Sequence, residues 1–200
     1  MIRSIVDRVL ETSLGYQLNQ KLANPTVRLF KDLIKTEFPR RENIQILDIG
    51  CGTANYRNCF NGKYTGLDIN PAYVRLAATR YPDGQFVVMS GAELAFKSET
   101  FDEAFSIATT HHLTDDQLVS MAREALRVVR AGGHFHVFDA ILPLDGSAFK
   151  STFFRLDRGR FPREAKDLLG LLQQCGRIEH QKTMTGFLHD VIYISLAGSN

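Results

Sequence analysis

The stretch "ILDIGCGTAN" at residues 46–55 decides the fold, because an apolar run ends in Asp48 and passes directly into the glycine-containing loop 50–53. Glycines placed this closely after a strand allow the backbone to approach a nucleotide. In doubly wound sheets such a loop lies beyond the carboxyl end of a strand, where ligands bind. The sequence therefore predicts a nucleotide-type site here, with an acid at its entrance that needs a physical explanation.

Short apolar runs alternate with helical segments on both sides of this loop and define the fold class. The runs are "IQILDI", "YTGLDI", "QFVVM", "FDEAFSIA" and "GHFHVFDAI", and helices are predicted near 53–60, 71–80 and 116–130. Strands that alternate with helices pair in parallel within a sheet covered on both faces. We therefore predict an α/β protein of three layers with a doubly wound, mostly parallel sheet.

The two ends of the chain depart from this alternation. Residues 1–43 have a helical pattern, and Asn24 followed by Pro25 is a good start for a helix. After "ILPLDG" we expect an irregular stretch and then a helix at 162–174. The last two apolar runs, "RIEHQKTMTGF" and "DVIYISLAG", are too close together for a helical crossover, so they should form an antiparallel hairpin.

Composition limits the classes of protein that fit. The 200 residues suffice for one domain, and 44% hydrophobic with 23% charged residues is ordinary for a globular protein. The net charge of +2 argues against general nucleic-acid binding, and no apolar run reaches the ~18 residues of a membrane span. The N-terminal stretch contains Asp7 and Glu11, unlike a signal peptide, and the three cysteines follow no ligand spacing. We expect a cytoplasmic protein with neither a DNA nor a membrane partner.

Two classes of ligand compete for the loop. A dinucleotide-binding G-x-G-x-x-G pattern fits Gly50 and Gly52, but Asn55 occupies the third glycine position. Asp48 also opposes a pyrophosphate, because two like charges ~5 Å apart repel by ~3 kcal/mol at an effective dielectric constant of ~20. S-adenosylmethionine has no phosphate and carries an ammonium and a sulfonium, so an acid at the strand end favours it. An NAD-dependent oxidoreductase is the disfavoured alternative.

A second acid, Asp68 in "YTGLDIN", ends the next predicted strand eighteen residues after Gly50. An acid at this position can accept hydrogen bonds from both ribose hydroxyls, in NAD and in S-adenosylmethionine alike. Together Asp48 and Asp68 favour a nucleoside with a cationic tail. The alternative is that each acid only caps the following helix, a contribution of ~1 kcal/mol.

The sequence from about Ile44 to Ile141 resembles the class I S-adenosylmethionine-dependent methyltransferases. "ILDIGCGTAN" is similar to their first motif and "YTGLDIN" to their acidic ribose motif, while "SGAELAFKSETFDEAFS" and "EALRVVRAGGHFHVFDA" resemble the region of the third to fifth strands. The resemblance implies a seven-stranded sheet, S-adenosylmethionine as cofactor and S-adenosylhomocysteine as product. It also implies a helical cap or lid at 1–43, a cofactor-binding core at 44–142, and an acceptor-side segment with the hairpin at 143–200.

The same resemblance implies which residues contact the cofactor. The loop 50–53 would lie beside the methionine part, Asp68 would hold the ribose, and residues 90–92 would flank the adenine. Ser90 stands where family members often have an acid, so its contact with the adenine amino group is open. The predicted contact residues are Asp48, Gly50, Cys51, Gly52, Thr53, Asp68, Ile69, Ser90, Gly91, Ala92 and Thr109.

Two histidine pairs are candidates for chemistry. His111 and His112 follow the fourth strand at the rim where the methyl group should point, so one of them could act as a base if the acceptor arrives protonated. The alternative is that they pack against or cap the neighbouring helix. His134 and His136 share one face of the fifth strand and could chelate a metal, but no third ligand is evident in the sequence. We therefore predict a core-facing pair and no metal site.

A basic cluster follows the fifth strand and consists of Lys150, Arg155, Arg158, Arg160, Arg163 and Lys166. Arg158 and Arg160 would suit a carboxylate or phosphate on a small acceptor. The alternative is a solvated face with pairing to acids of the same segment. Near the N-terminus, Tyr16 in "SLGYQLNQ" could fold over the cofactor as part of an N-terminal lid and contact the substrate, with core packing as its alternative.

The leading hypothesis is methyl transfer to a small-molecule acceptor, which is anionic if the basic cluster binds it. The alternatives are a cofactor-binding protein without turnover, a partner subunit of a methyltransferase complex, and a protein or RNA methyltransferase. The run "ATTHHL" after the fourth strand lacks the Asn/Asp-Pro-Pro-Tyr/Phe pattern that accompanies methylation of DNA amines.

Overall fold

The structure, a computed structural model, describes residues 24–38, 43–156 and 160–198 of the chain. The strands are β1 (Gln45–Ile49), β2 (Lys63–Asp68), β3 (Gln85–Val88), β4 (Phe101–Ile107), β5 (Val129–Ile141), β6 (Arg177–Thr185) and β7 (Asp190–Ala197). The helices are α1 (Asn24–Glu37), α2 (Pro71–Arg80), α3 (Asp115–Val128), α4 (Ala148–Leu156) and α5 (Ala165–Gln173). Within these described ranges, no helix has the length and apolar character that crossing a membrane requires.

All seven strands belong to one sheet with the order β3-β2-β1-β4-β5-β7-β6. Strands β1 to β5 are parallel, and β7 runs antiparallel to both β5 and β6. The winding direction reverses between β1 and β4, so their connections leave in opposite directions and open a crevice at their carboxyl ends. The topology confirms the predicted doubly wound, seven-stranded sheet and its antiparallel C-terminal hairpin.

One predicted helix is wrong. The segment 53–60 holds turns and a single 3-10 turn at Arg57–Cys59 instead of an α-helix. Gly52 and Ala54 have φ angles of 55° and 58°, which lie in the left-handed region, so a right-handed helix cannot begin in this loop. Helix α2 forms as predicted and is capped by the side chain of Asn70, which accepts from the backbone of the first turn.

The segment expected to be irregular after "ILPLDG" contains helix α4. Ser147 stands just before it and accepts a 3.4 Å hydrogen bond from the backbone N–H of Lys150, which is the pattern of an N-cap. Phe154 is buried on the inner side of this helix. Ser147 is the local sequence feature that predicts this helix.

Two apolar clusters, one on each face of the sheet, hold the layers together. On one face, α3 and α5 pack on alternate residues of the strands, including Leu47 and Ile49. On the other face, α1 packs against Ile46 and an aromatic group centred on Phe105. The buried residues of α1 are Phe30, Leu33 and Ile34, as its helical spacing predicted. Because strand side chains alternate between faces, one buried strand serves both clusters.

We expect Phe105→Ala to destabilise the protein by ~3–5 kcal/mol, because removing a fully buried ring leaves a cavity. The ring of Phe105 is fully buried, with centroids 4.5 Å from Phe60 and 4.9 Å from Phe38. The matched control is Phe187→Ala, at a side chain 76% exposed, which should cost less than ~1 kcal/mol. Urea unfolding followed by circular dichroism measures both, and equal losses would contradict this view of the core.

Candidate functional site

The loop after β1 is fixed by a close approach at Gly50. Its φ angle is +77°, and a Cβ atom there would lie 2.5 Å from the side chain of Thr109, so only glycine fits. The backbone N–H groups of Gly50 and Cys51 both donate to the carbonyl of Leu67, at 2.8 and 2.9 Å. The loop is therefore tied to the end of β2 and touches the segment that follows β4.

A cavity of about 590 Å³ opens beside this loop, beyond the carboxyl ends of β1, β2 and β4. The sequence-predicted residues that line it are Gly50, Cys51, Gly52, Asp68, Ile69, Ser90, Gly91, Ala92, Thr109, His111, His112 and Arg160. Asp48 and Thr53 are buried and do not line it, which corrects the expectation that both lie at the ligand surface. Tyr16 and Arg158 lie outside the described residues.

Asp68 lies at the cavity wall, and each of its carboxylate oxygens accepts one backbone hydrogen bond. Its Oδ2 accepts from the backbone N–H of Gly52 at 3.0 Å, and its Oδ1 accepts from that of Asn70 at 2.8 Å. Burial raises the pKa of Asp68, while these two N–H groups oppose the shift. The cap of α2 is Asn70 and not Asp68, so the alternative that Asp68 only caps a helix is wrong. An ionised carboxylate offers about four acceptor positions, which leaves room for further donors.

Asp48 lies beneath the loop in an apolar surrounding. The hydroxyl of Tyr64 donates to its Oδ2, whereas its buried Oδ1 makes no hydrogen bond within the described part of the chain. Burial raises the pKa of Asp48 from 3.8 to about 7, with the Tyr64 hydrogen bond opposing the shift and the charge of Asp68 adding to it. A cation placed above the loop would favour its ionised form.

The thiol of Cys51 is not poised as a nucleophile. Burial raises its pKa, and the nearby carboxylates of Asp48 and Asp68 raise it further. A thiol in that setting stays protonated and behaves as a small apolar side chain. The role of Cys51 in the cavity wall is therefore steric.

His111 is held by a carboxylate that the sequence prediction missed. Asp139, fully buried at the end of β5, accepts from His111 Nδ1 at 2.5 Å and from its backbone N–H at 3.1 Å. Burial alone would raise the pKa of Asp139, but His111 and the hydroxyl of Thr110 hold it below its ordinary value. The available signal was topological: β4 and β5 are parallel neighbours, so a residue just after β4 meets an acid at the end of β5.

Other lining residues come from parts of the chain that no local motif singles out. Thr26, Val27 and Phe30 of α1 reach the cavity, and His189 from the β6–β7 turn reaches it from the other side. Thr26 Oγ1 and His189 Nδ1 are 3.1 Å apart, so these two distant segments meet at the cavity rim. Only the folded chain brings them together.

The basic cluster divides into structural and exposed members. Arg163 is buried and donates to the carbonyls of Thr110 and Leu113, at 2.9 and 2.7 Å, so it fastens the segment that carries His111. Lys150 is also buried and pairs with Asp190, 2.7 Å away. Lys166 is exposed and pairs with Glu164. Arg160 is exposed and lines the cavity, so among the described residues of the cluster it is the one that could contact a ligand there.

We expect Asp48→Asn to flatten the dependence of stability on pH. The folded state binds more protons than the unfolded state between about pH 4 and pH 7, so the contribution of Asp48 to stability falls as the pH rises across that window. The shift from 3.8 to about 7 corresponds to at most ~4 kcal/mol. Urea unfolding of both proteins from about pH 4 to about pH 8 measures this term. The control is Asp116→Asn at an exposed position, and parallel curves for wild type and Asp48→Asn would contradict the assignment.

Comparison with known proteins identifies the domain that carries this cavity. A family model described as a methyltransferase domain matches residues 47–137. The chain is 34% identical over 102 residues to the phthiotriol/phenolphthiotriol dimycocerosates methyltransferase of Mycobacterium leprae, covering 48% of this chain and 37% of that protein. It is 33% identical over 94 residues to the tRNA (carboxymethyluridine(34)-5-O)-methyltransferase of Saccharomyces cerevisiae, covering 46% of this chain and 34% of that protein. The chain thus spans well under half the length of these curated relatives.

The fold has matching solved structures. The geranyl diphosphate C-methyltransferase of Streptomyces coelicolor A3(2), solved in complex with Mg²⁺, geranyl diphosphate and S-adenosylhomocysteine, aligns with a TM-score of 0.70 at 12% identity. The alignment covers 86% of this chain and 77% of that one. The matched motif region, the seven-strand order and the loop after β1 agree with one another: residues 47–137 match a methyltransferase domain, and the sheet that contains them has the class I methyltransferase fold.

Proposed function

We propose that this protein transfers a methyl group from S-adenosylmethionine to a small-molecule acceptor that carries an ionisable nucleophile. One observation carries the proposal. The glycine loop with Asp68 and the His111–Asp139 pair meet at a single cavity of about 590 Å³. A volume of this size accommodates a nucleoside cofactor together with part of an acceptor.

The cavity wall fits the cofactor of the family in three places. Asp68 retains acceptor capacity for ribose hydroxyls beside the two backbone N–H groups that it already binds. Ile69, which is 74% exposed, offers an apolar face to an adenine next to residues 90–92. Asp48, whose buried Oδ1 has no hydrogen-bond partner among the described residues, would complement the positive charge of the methionine part from beneath the loop. The bound cofactor would supply an activated methyl group on its sulfonium.

His111 would act as the base for the acceptor. Asp139 holds Nδ1, which fixes the ring orientation and leaves Nε2 as the nitrogen to accept a proton from the nucleophile. The buried carboxylate then stabilises the imidazolium that forms. His112 is exposed beside it, with ring centroids 4.2 Å apart, and lines the cavity, so we assign it to acceptor binding.

Arg160 would give the acceptor side a positive charge. The segment that carries it passes over the histidines, because the backbone N–H of Phe161 donates to the carbonyl of His111 at 3.0 Å. A carboxylate or phosphate on the acceptor would pair with the Arg160 guanidinium. Arg158 and Tyr16 remain predicted contributors. The α1 residues at the cavity rim support a cap function for the N-terminal region.

A tRNA acceptor is the second candidate, because the yeast relative is a tRNA methyltransferase. The net charge of +2 gives little of the phosphate attraction on which RNA binding depends, so we favour the small molecule. A cofactor-binding subunit without turnover would use the same loop and Asp68. A subunit without turnover would not need a base held in a fixed orientation, and the contact of His111 with Asp139 therefore favours an enzyme.

Labelled methyl transfer into a metabolite extract of the source organism tests turnover, and a tRNA fraction tests the second candidate. With the acceptor identified, His111→Asn should lower kcat by ~10²–10⁴-fold and leave the KM for S-adenosylmethionine nearly unchanged. Asp139→Asn should lower kcat and move the acid limb of the pH profile. The control, His180→Asn, changes an exposed histidine of β6 that contacts Glu37 and should leave the kinetics as in wild type. No label in either pool, or wild-type kcat in His111→Asn, would contradict the proposal.

A further inference from the structure

A second cluster of ligating side chains lies away from the cavity, towards the amino-terminal end of β4. Glu103 stands near the start of β4, and His134 and His136 lie in the middle of β5. Four residues of strand separate Glu103 from Ile107 at the cavity, about 13 Å at ~3.3 Å per residue. The methyl-transfer site does not use these residues.

Glu103 supplies the third ligand that was not evident in the sequence. Its Oε2 is 3.0 Å from His136 Nε2 and 3.7 Å from His134 Nδ1, and the three ligand atoms lie within 4.8 Å of one another. Parallel pairing of β4 with β5 sets Glu103 directly opposite His134 in the sheet register. A tetrahedral zinc site with bonds of ~2.0–2.2 Å places its ligand atoms about 3.3–3.5 Å apart. The two spacings from Glu103 Oε2 differ from these values by a few tenths of an ångström, and the two imidazole nitrogens are at most 4.8 Å apart, so a bound ion would draw the rings together.

The opposite nitrogen of each imidazole ring is already held by an oxygen partner. His134 Nε2 donates to Glu179 Oε2 at 2.8 Å, and His136 Nδ1 lies 3.0 Å from the Tyr193 hydroxyl. Metal-bound histidines almost always show such a partner, which fixes the ring and selects the nitrogen that binds the ion. In this cluster the two partners leave His134 Nδ1 and His136 Nε2 facing the same carboxylate oxygen, Glu103 Oε2.

We propose that Glu103, His134 and His136 form a zinc site, with a water molecule as the fourth ligand and Glu179 and Tyr193 as its orienting partners. Two imidazoles and a carboxylate suit zinc among the common divalent ions. Solvent can reach the site because the His134 side chain is 24% exposed, whereas Glu103 and His136 are buried. The bound ion would join β4 and β5 to the C-terminal hairpin and stabilise the folded chain by mass action.

The rival explanation is an ionic network in which protonated histidines pair with Glu103 and no ion binds. Zinc titration of the chelator-treated, untagged full chain by calorimetry separates the two. The zinc site predicts one equivalent with a Kd in the micromolar range or tighter, a rise in Tm with zinc, and the strong visible absorption of four-coordinate Co²⁺ when cobalt replaces zinc. The ionic network predicts none of these.

Variants locate the site. Glu103→Gln keeps the side-chain shape and should weaken zinc binding by at least ~100-fold, as should His134→Asn, whereas Glu179→Gln should weaken it by ~10–100-fold. The matched control is His180→Asn on the same strand as Glu179, which should bind as wild type does. Circular dichroism without metal checks folding, and His134→Asn, at a partly exposed position, decides the matter if Glu103→Gln does not fold. Absence of saturable binding below about 100 µM, or unchanged binding in His134→Asn, would overturn the proposal.

Discussion

The close approach of Gly50 to Thr109 is the constraint on which the site depends. It brings the loop after β1 against the segment after β4, where the winding of the sheet reverses. The same loop donates two backbone hydrogen bonds to Leu67 at the end of β2, so three strand ends are fixed relative to one another. A side chain at position 50 would separate these ends and widen the crevice. The absence of a Cβ atom at Gly50 therefore allows the contact that holds this side of the cavity together.

Carboxylates at different depths around this loop have different physical roles. Asp68 lies at the cavity wall, where two backbone N–H groups donate to its carboxylate and favour the ionised form. Asp48 lies beneath the loop, where burial raises its pKa to about 7. Asp139 is buried as deeply, but its contact with His111 keeps its pKa low. The parallel strands β4 and β5 thus carry two groups of ionisable side chains, His111 with Asp139 at the carboxyl end and the proposed zinc ligands near the start of β4 and the middle of β5.

The sequence predicted the fold and the residues of the loop that line the cavity because their signals are local. Glycine spacing and a strand-terminal acid placed Gly50 and Asp68 at the cavity without any knowledge of tertiary contacts. Asp139 and Glu103 were missed because each acts across a strand pair, which depends on sheet order and register. The sequence also could not predict that Asp48 is buried or that Arg163 binds backbone carbonyls. A charged residue has the same local sequence pattern whether it contacts a ligand, solvent or the backbone.

If the loop after β1 and Asp68 bind the methionine part and the ribose of S-adenosylmethionine, the product S-adenosylhomocysteine should bind as well. Calorimetric titration with S-adenosylhomocysteine tests it without an acceptor. We expect saturable binding to the wild type, no binding of NAD, and a loss of ~2–3 kcal/mol in Asp68→Ala, which is roughly 30–150-fold in Kd. Asp83→Ala, at an exposed acid that pairs with Arg57 outside the cavity, should retain wild-type affinity. An unchanged Kd in Asp68→Ala, or binding of NAD in place of S-adenosylhomocysteine, would contradict the account.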